Sequence, residues 1–173
     1  GGIKTLENEH GIINNKGARR VSPQFVAKMI PNIAGGHLSM RFGFRGPSQT
    51  IISACASSND AIGIALRLIR YGDADVILAG GTEASITPLT IAGFGNMKAL
   101  SQNCDNPTKA SRPFDANRDG FVLSEGAGMI VIESEQHALG RGAPILAELA
   151  GYCSTDDAFH ITQPAPEGEG AYR

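Results

Sequence analysis

The sequence predicts an α/β fold, and three features predict it. A β-type run, Thr50–Ser53, is followed at once by a helical stretch, Ser57–Tyr71, and then by a continuous apolar run, Asp75–Gly81. Strand, helix and strand with short links make a βαβ unit, which implies parallel pairing and a right-handed crossover in a mixed sheet. Apolar residues at 61, 62, 65, 66, 68 and 69 give the helix a broad apolar stripe, as a helix buried against a sheet requires. The 22 glycines gather at apparent element ends, among them Gly35-Gly36, Gly80-Gly81, Gly126/Gly128 and Gly140/Gly142, where close packing and sharp turns need them.

The elements follow in order. Ser22-Pro23 pairs an N-cap with a first-turn proline, so Pro23–Ile30 reads as a short helix. Asn32–Arg41 reads as a second helix despite Gly35-Gly36. After the βαβ unit, whose helix Gly72 ends, Pro88–Met97 reads as a short apolar helix and Ser101–Asp119 as a polar loop. Gly126–Glu133 reads as a strand, Ser134–Gly140 as a charged helix and Ile145–Tyr152 as a further strand. Gly168–Arg173 opens a helix at the last residues, and the first residue is Gly1. The sequence therefore reads as a single partial domain, residues 1–173, cut from a longer chain.

Composition excludes several classes of function. With 42% hydrophobic and 18% charged residues the chain is neither disordered nor membrane-like, and no apolar run reaches a membrane span. A net charge of −2 without a dense basic run gives no footprint for nucleic acid. No glycine cluster forms a dinucleotide fingerprint. Three cysteines without paired spacing or nearby histidine clusters give neither a disulfide framework nor a zinc site, and fit a reducing cytoplasm.

Cys55 is the candidate nucleophile. It follows Thr50–Ser53 and precedes the helix, so the strand-turn-helix sets its thiol at a helix N-terminus. Free N–H groups and the macrodipole there favour a thiolate and can hold an oxyanion formed on an acyl carbonyl. The competing reading is a small buried hydrophobe. Cys104, in a polar loop, and Cys153, after an apolar run, lack this setting and read as structural.

Four blocks carry a resemblance over essentially the whole chain. They are Arg45-Gly46-Pro47 with Ser53-Ala54-Cys55-Ala56-Ser57-Ser58; Tyr71-Gly72-Asp73-Ala74-Asp75 with Ala79-Gly80-Gly81-Thr82-Glu83; Lys98-Ala99-Leu100-Ser101 with Ala110-Ser111-Arg112-Pro113-Phe114-Asp115; and Arg118-Asp119-Gly120-Phe121-Val122 with Glu125-Gly126-Ala127-Gly128. With them the chain resembles the β-ketoacyl synthases, condensing enzymes of fatty-acid synthesis within the thiolase superfamily. The match is to the bacterial elongating type that acts on acyl carrier protein. Asp157-Ala158-Phe159-His160-Ile161-Thr162 followed by Pro164 resembles the second elongating class, synthase II.

The resemblance implies an α-β-α-β-α layered fold of which this chain covers mostly the N-terminal half. It implies that Cys55 accepts an acyl group and that malonyl carrier protein, on losing carbon dioxide, attacks that thioester. Two histidines and a lysine that assist decarboxylation in the family lie in later segments and match nothing in these residues. This chain alone is therefore expected to be inactive in condensation and to show exposed apolar faces. Phe94 matches a position lining the acyl pocket, Phe121 an aromatic beside the active-site cysteine, His160 a gate or substrate contact at the pocket mouth, and Thr162 a position near the pantetheine entry. Arg19, Arg20 and Lys98 match places that present positive charge to acyl carrier protein. Arg112, Asp115, Arg118, Asp119 and Glu125 read as braces of loops, His37 as structural, and His10 and His137 as solvated positions on a loop and a charged helix. The family implies a homodimer, no metal and no resident cofactor, since substrates ride on the phosphopantetheine of the carrier. The alternatives are a non-catalytic chain-length-type partner subunit, against which the retained Cys55 argues, and a thiolase-like acyltransferase or cysteine hydrolase, against which the blocks from Arg112 to Gly128 argue.

Overall fold

The computed structural model describes residues 2–173. The chain divides into two compact units, Gly1–Thr50 with Gly81–Gly128, and Ile51–Gly80 with Met129–Arg173.

The first unit holds α1 (Ile3–Lys16), α2 (Phe25–Met29), α3 (Ile33–Phe42) and, after the first strand, α5 (Pro88–Asn96). Two glutamates of α1 hold the chain around them. Glu9 Oε2 accepts from the Ser22 N–H at 2.9 Å, and Glu7 Oε1 accepts from the Leu89 N–H at 3.0 Å, in the first turn of α5. That turn is also capped by Thr87, which is 2% exposed and whose Oγ1 accepts from the Thr90 N–H, with Pro88 just inside the helix. The polar stretch after α5 folds back on itself. Ser101 N–H donates to the Phe121 carbonyl at 2.9 Å and Phe121 N–H to the Ala99 carbonyl at 3.0 Å, making a parallel bridge between Leu100 and Phe121. Gly120 makes this possible, because its φ is +134° and a Cβ there would stand 2.5 Å from the Leu100 carbonyl carbon.

The second unit is built on α4 (Ser57–Arg70), with α6 (Glu135–Gly140) and a last turn, α7 (Glu169–Tyr172). Its core is Ala65, Ala79 and Ile132, with Ile62, Ile69 and Ile77 against them. Alanines at 65 and 79 let the backbones of helix and strand approach closely. The strands β1 (Val76–Glu83) and β2 (Gly126–Glu133) pair in a two-stranded sheet, and each begins in one unit and ends in the other. Ser134 N–H donates to the Asp75 carbonyl at 2.9 Å, joining the end of β2 to the start of β1, so the pair is antiparallel.

The α/β class and most elements match the expectation; β2 spans the predicted residues, and α3, α4, β1, α5 and α6 lie within one or two residues of theirs. Three readings need correction. Thr50–Ser53 and Ile145–Tyr152 are not strands: among the described residues neither is paired in a ladder, and the backbone bond of Thr50–Ser53 is the local one from the Ala56 N–H to the Ser53 carbonyl. A β-type run becomes a strand only where a ladder partner takes its polar groups, so the expected parallel pairing around α4 is not formed here. The third is α1, where the sequence reading saw no helix. Its apolar residues, Ile3, Leu6, Ile12 and Ile13, are too sparse for a stripe, and Gly11 interrupts it. Lys16 consequently ends a helix and only Ala18–Arg20 forms a separate turn. The expected exposed apolar faces are present. On β2, Met129, Ile130 and Val131 are 41%, 48% and 61% exposed.

Candidate active site

Cys55 is exposed in the middle of a single 3₁₀ turn, Ala54–Ala56, which feeds directly into α4. The expected thiol at a helix N-terminus is therefore present, although the run before it is not a strand. No side chain caps α4, and the Ser57 N–H at its start donates back to the Ala54 carbonyl within the 3₁₀ turn. Ala54 has φ +51°, a left-handed conformation that costs a non-glycine residue about 1–2 kcal/mol. Hydrogen bonds enclose the turn. Ser53 N–H donates to Ser57 Oγ at 2.9 Å, and Ser57 Oγ donates to the Ala54 carbonyl at 2.8 Å. Ser53 Oγ donates to Asp60 Oδ2, and the Tyr152 hydroxyl donates to Asp60 Oδ1 at 2.6 Å. These bonds, Ser53 first and Tyr152 second, hold the Asp60 carboxyl below its ordinary value of 3.8, and Asp60 in turn raises the Tyr152 phenol.

Sequence reasoning missed this network. One signal was available: Ser57, Asp60, Gly63, Arg67 and Arg70 form a polar or small stripe on α4, clear of its apolar stripe. Tyr152 lies 92 residues from Asp60, and nothing in the sequence announces that contact. An open groove of about 430 Å³ runs beside it, lined by Asn59, Asp60, Gly63, Tyr152 and Cys153 among others.

The remaining predicted residues form small groups within their own units. Phe94 and Phe121 pack edge to face, with ring centroids 5.1 Å apart and planes at 80°. His160 and Thr162 share one turn, where His160 Nδ1 accepts from the Thr162 N–H at 3.1 Å and the Gln163 N–H at 3.2 Å. Arg19, Arg20 and Lys98 are exposed and make no ion pair among the described residues; Lys98 is left-handed, with φ +56°.

The loop braces are present. Asp119 accepts from Ser101 Oγ at 2.8 Å and the Gln102 N–H at 3.0 Å, which hold its carboxyl below 3.8, and Arg112 lies 3.4 Å away. Glu125 Oε1 accepts from the Ile86 N–H, and Asp115 from the Asn117 N–H. Two histidines depart from expectation. His10 lies on α1, not a loop, beside Asn14. His137 is not merely solvated but bonds Glu133, which Arg141 also grips with two bonds of 2.6 Å. These partners, Arg141 foremost, pull the Glu133 carboxyl down to about 2. Among the described residues no group of three or more His, Cys, Asp or Glu is placed to hold a metal ion.

Comparison with known proteins gives this arrangement a family. Residues 2–138 match the model of the β-ketoacyl synthase N-terminal domain. The whole chain is 51% identical to the 3-oxoacyl-[acyl-carrier-protein] synthase 2 of Rhizobium meliloti, of which it covers 41%. Among solved structures, a type II PKS acyl-carrier protein in complex with its ketosynthase matches 98% of this chain with a TM-score of 0.91 and 34% identity, over 43% of that chain. A β-ketoacyl synthase from Burkholderia phymatum matches 91% of this chain with a TM-score of 0.82 and 37% identity, over 39% of that chain. The fold is thus that of the thiolase-like condensing enzymes. The chain belongs to the β-ketoacyl synthase family and spans about two-fifths of the length of the relatives it matches.

Proposed function

We propose that these residues are the nucleophile-bearing part, a single partial domain, of an elongating 3-oxoacyl-[acyl-carrier-protein] synthase of the second class. The observation that carries this reading is the exposed Cys55 on a turn that opens onto the uncapped start of α4, in a chain 51% identical to a synthase of that name. Cys55 Sγ attacks the carbonyl of an acyl-carrier thioester, and the carrier's thiol leaves. Malonyl carrier protein then loses carbon dioxide, and the enolate attacks the Cys55 thioester, forming the new carbon–carbon bond and releasing the cysteine sulfur. The uncapped start of α4, with the positive end of its dipole, is suited to the oxyanion in both acyl transfers. Decarboxylation is assigned to the family's two histidines and lysine, which match no residue here, so this chain alone gives no condensation.

In this reading Phe94 lines the acyl chain, Phe121 is an aromatic beside the active-site cysteine, and His160 and Thr162 border the entry. Arg19, Arg20 and Lys98, exposed and without carboxylate partners among the described residues, steer an acidic carrier protein. A solved neighbour is a complex of a ketosynthase with an acyl-carrier protein, which supports that choice of partner. The full protein acts as a cytoplasmic homodimer without resident metal or cofactor. Among the described residues no helix is long and apolar enough to cross a membrane, and the three cysteines are unpaired.

The test is acylation of the full-length protein by a labelled acyl-carrier protein, followed by mass mapping. Label on Cys55, lost in C55A, is the expected result. An unlabelled Cys55, or label on Cys104 or Cys153, overturns the reading.

A further inference from the structure

The turn that carries Cys55 is closed by two backbone bonds, Ala56 N–H to the Ser53 carbonyl at 3.1 Å and Ser57 N–H to the Ala54 carbonyl, and has no polar side chain within it to fix it further. Ala54 and Ala56 flank the thiol with the smallest side chains, the turn residues are exposed, and Ala54 is held left-handed. Beyond those backbone bonds, its shape depends on side-chain hydrogen bonds from outside the turn. Ser53 is where they enter: its N–H bonds Ser57, and its hydroxyl bonds Asp60 one turn further along α4.

Asp60 is itself held. Its other oxygen accepts from the Tyr152 hydroxyl, and Tyr152 is seated on α4 by two neighbours on the same helix face as Asp60. Gly63 gives the ring its place, since a Cβ at that position would lie 2.1 Å from the ring. Arg67 stands over the ring at 5.2 Å from its centroid. One turn on, Arg70 donates to the Ala150 carbonyl at 2.7 Å and pins the segment that carries Tyr152.

We propose that Asp60 is a positioning residue for Cys55: it clamps Ser53 in the conformation that presents the thiol at the uncapped start of α4, and Tyr152 holds it in place. This rests on the assignment of Cys55 as the acyl-accepting nucleophile. The clamp acts on geometry, not on charge. Electrostatics alone would make removal of a carboxylate near a thiol speed thiolate chemistry, whereas loss of the clamp slows it.

The full-length protein tests this with two readouts on Cys55, the rate of alkylation by iodoacetamide and single-turnover acylation from an acyl-carrier protein. D60A and S53A are expected to slow both about tenfold, with KM for the carrier substrate within about twofold of the parent. Y152F is expected to slow both about threefold. S53T, which keeps the hydroxyl, recovers most of the rate that S53A loses. D60A and S53A proteins that melt like the parent and react at its rate overturn the proposal, as does S53T no faster than S53A. If D60A fails to fold, the S53A and S53T pair decides. Slowed alkylation in the variants of a protein that never accepts acyl groups on Cys55 supports the clamp and overturns the condensing reading instead.

Discussion

Two aspartates, one in each unit, do similar work by different means. Asp60 and Asp119 each accept a serine hydroxyl and a second donor, and each lies near a backbone position of positive φ, Ala54 and Gly120. Asp119 is a local brace. Its partners Ser101 and Gln102 lie within 18 residues, and the Arg112 cation faces it at 3.4 Å. Asp60 receives only neutral hydroxyls, and one of them comes from 92 residues away. The difference separates a loop held by its own sequence neighbourhood from a reactive turn held by the tertiary fold. A turn of the first kind forms with its loop; a turn of the second kind is right only when the chain around it is right.

The largest effect is expected where backbone meets backbone in the Asp119 region. G120A puts a Cβ 2.5 Å from the Leu100 carbonyl carbon at a φ of +134°. The expected loss is on the order of 2–4 kcal/mol, read as a lowered urea midpoint. A parent-like midpoint would show that the loop does not need the bridge between Leu100 and Phe121. Next comes G63A, in the Asp60 region, where the sign is informative. Gly to Ala inside a helix ordinarily gains about 1 kcal/mol. Here the new Cβ meets the Tyr152 ring, so a net loss of about 1–2 kcal/mol is expected, turning into a gain in the Y152A background. A stabilised G63A with Tyr152 in place would remove the seat on which the clamp depends.

These two glycines also mark how far the sequence could be read. The run Gly46 to Gly63 announced a thiol at a helix start, because the residue types around Cys55 and the stripe on α4 are local signals. The same locality misled at Thr50–Ser53 and Ile145–Tyr152, where β-type residues find no ladder partner among the described residues. Pro88 and Ser134 mark their helix starts by residue type alone. Gly63 read as an ordinary helix position, since only Tyr152 gives its missing side chain a purpose. The family motifs contain Cys55, Ser53 and Ser57 but not Asp60 and Tyr152, which brace the turn. Those act through contacts between distant parts of the chain, which neither periodicity nor spacing records.

Acid sharpens the comparison at a smaller scale. Asp60, Asp119 and Glu133 all have carboxyls lowered in the folded chain, so each favours folding when ionised. That contribution is complete above the ordinary values of 3.8 for the aspartates and 4.5 for Glu133, and it is lost as pH falls through the lowered folded values. For Glu133 the window runs from 4.5 down to about 2. E133Q should therefore flatten the acid limb of a melting-temperature profile over that window more than D60N or D119N flattens it below 3.8. An unchanged acid limb in E133Q would show that the grip of Arg141 and His137 adds nothing to folding.

The smallest expected effect is the one that isolates charge. Arg112 and Asp119 are 32% and 37% exposed in their side chains, so water and salt screen their attraction. R112Q should lower the melting temperature slightly at low salt, and the difference from the parent should vanish at high salt. No cation bonds Asp60, and Y152F keeps the ring that Arg67 faces, so the gap between Y152F and the parent should stay the same across that salt range. Melting curves of the two variants at low and high salt check both arms at once. Equal salt dependence in the two would mean that the carboxylates are braced alike, and the contrast between a local ionic brace and a long-range neutral clamp would fail.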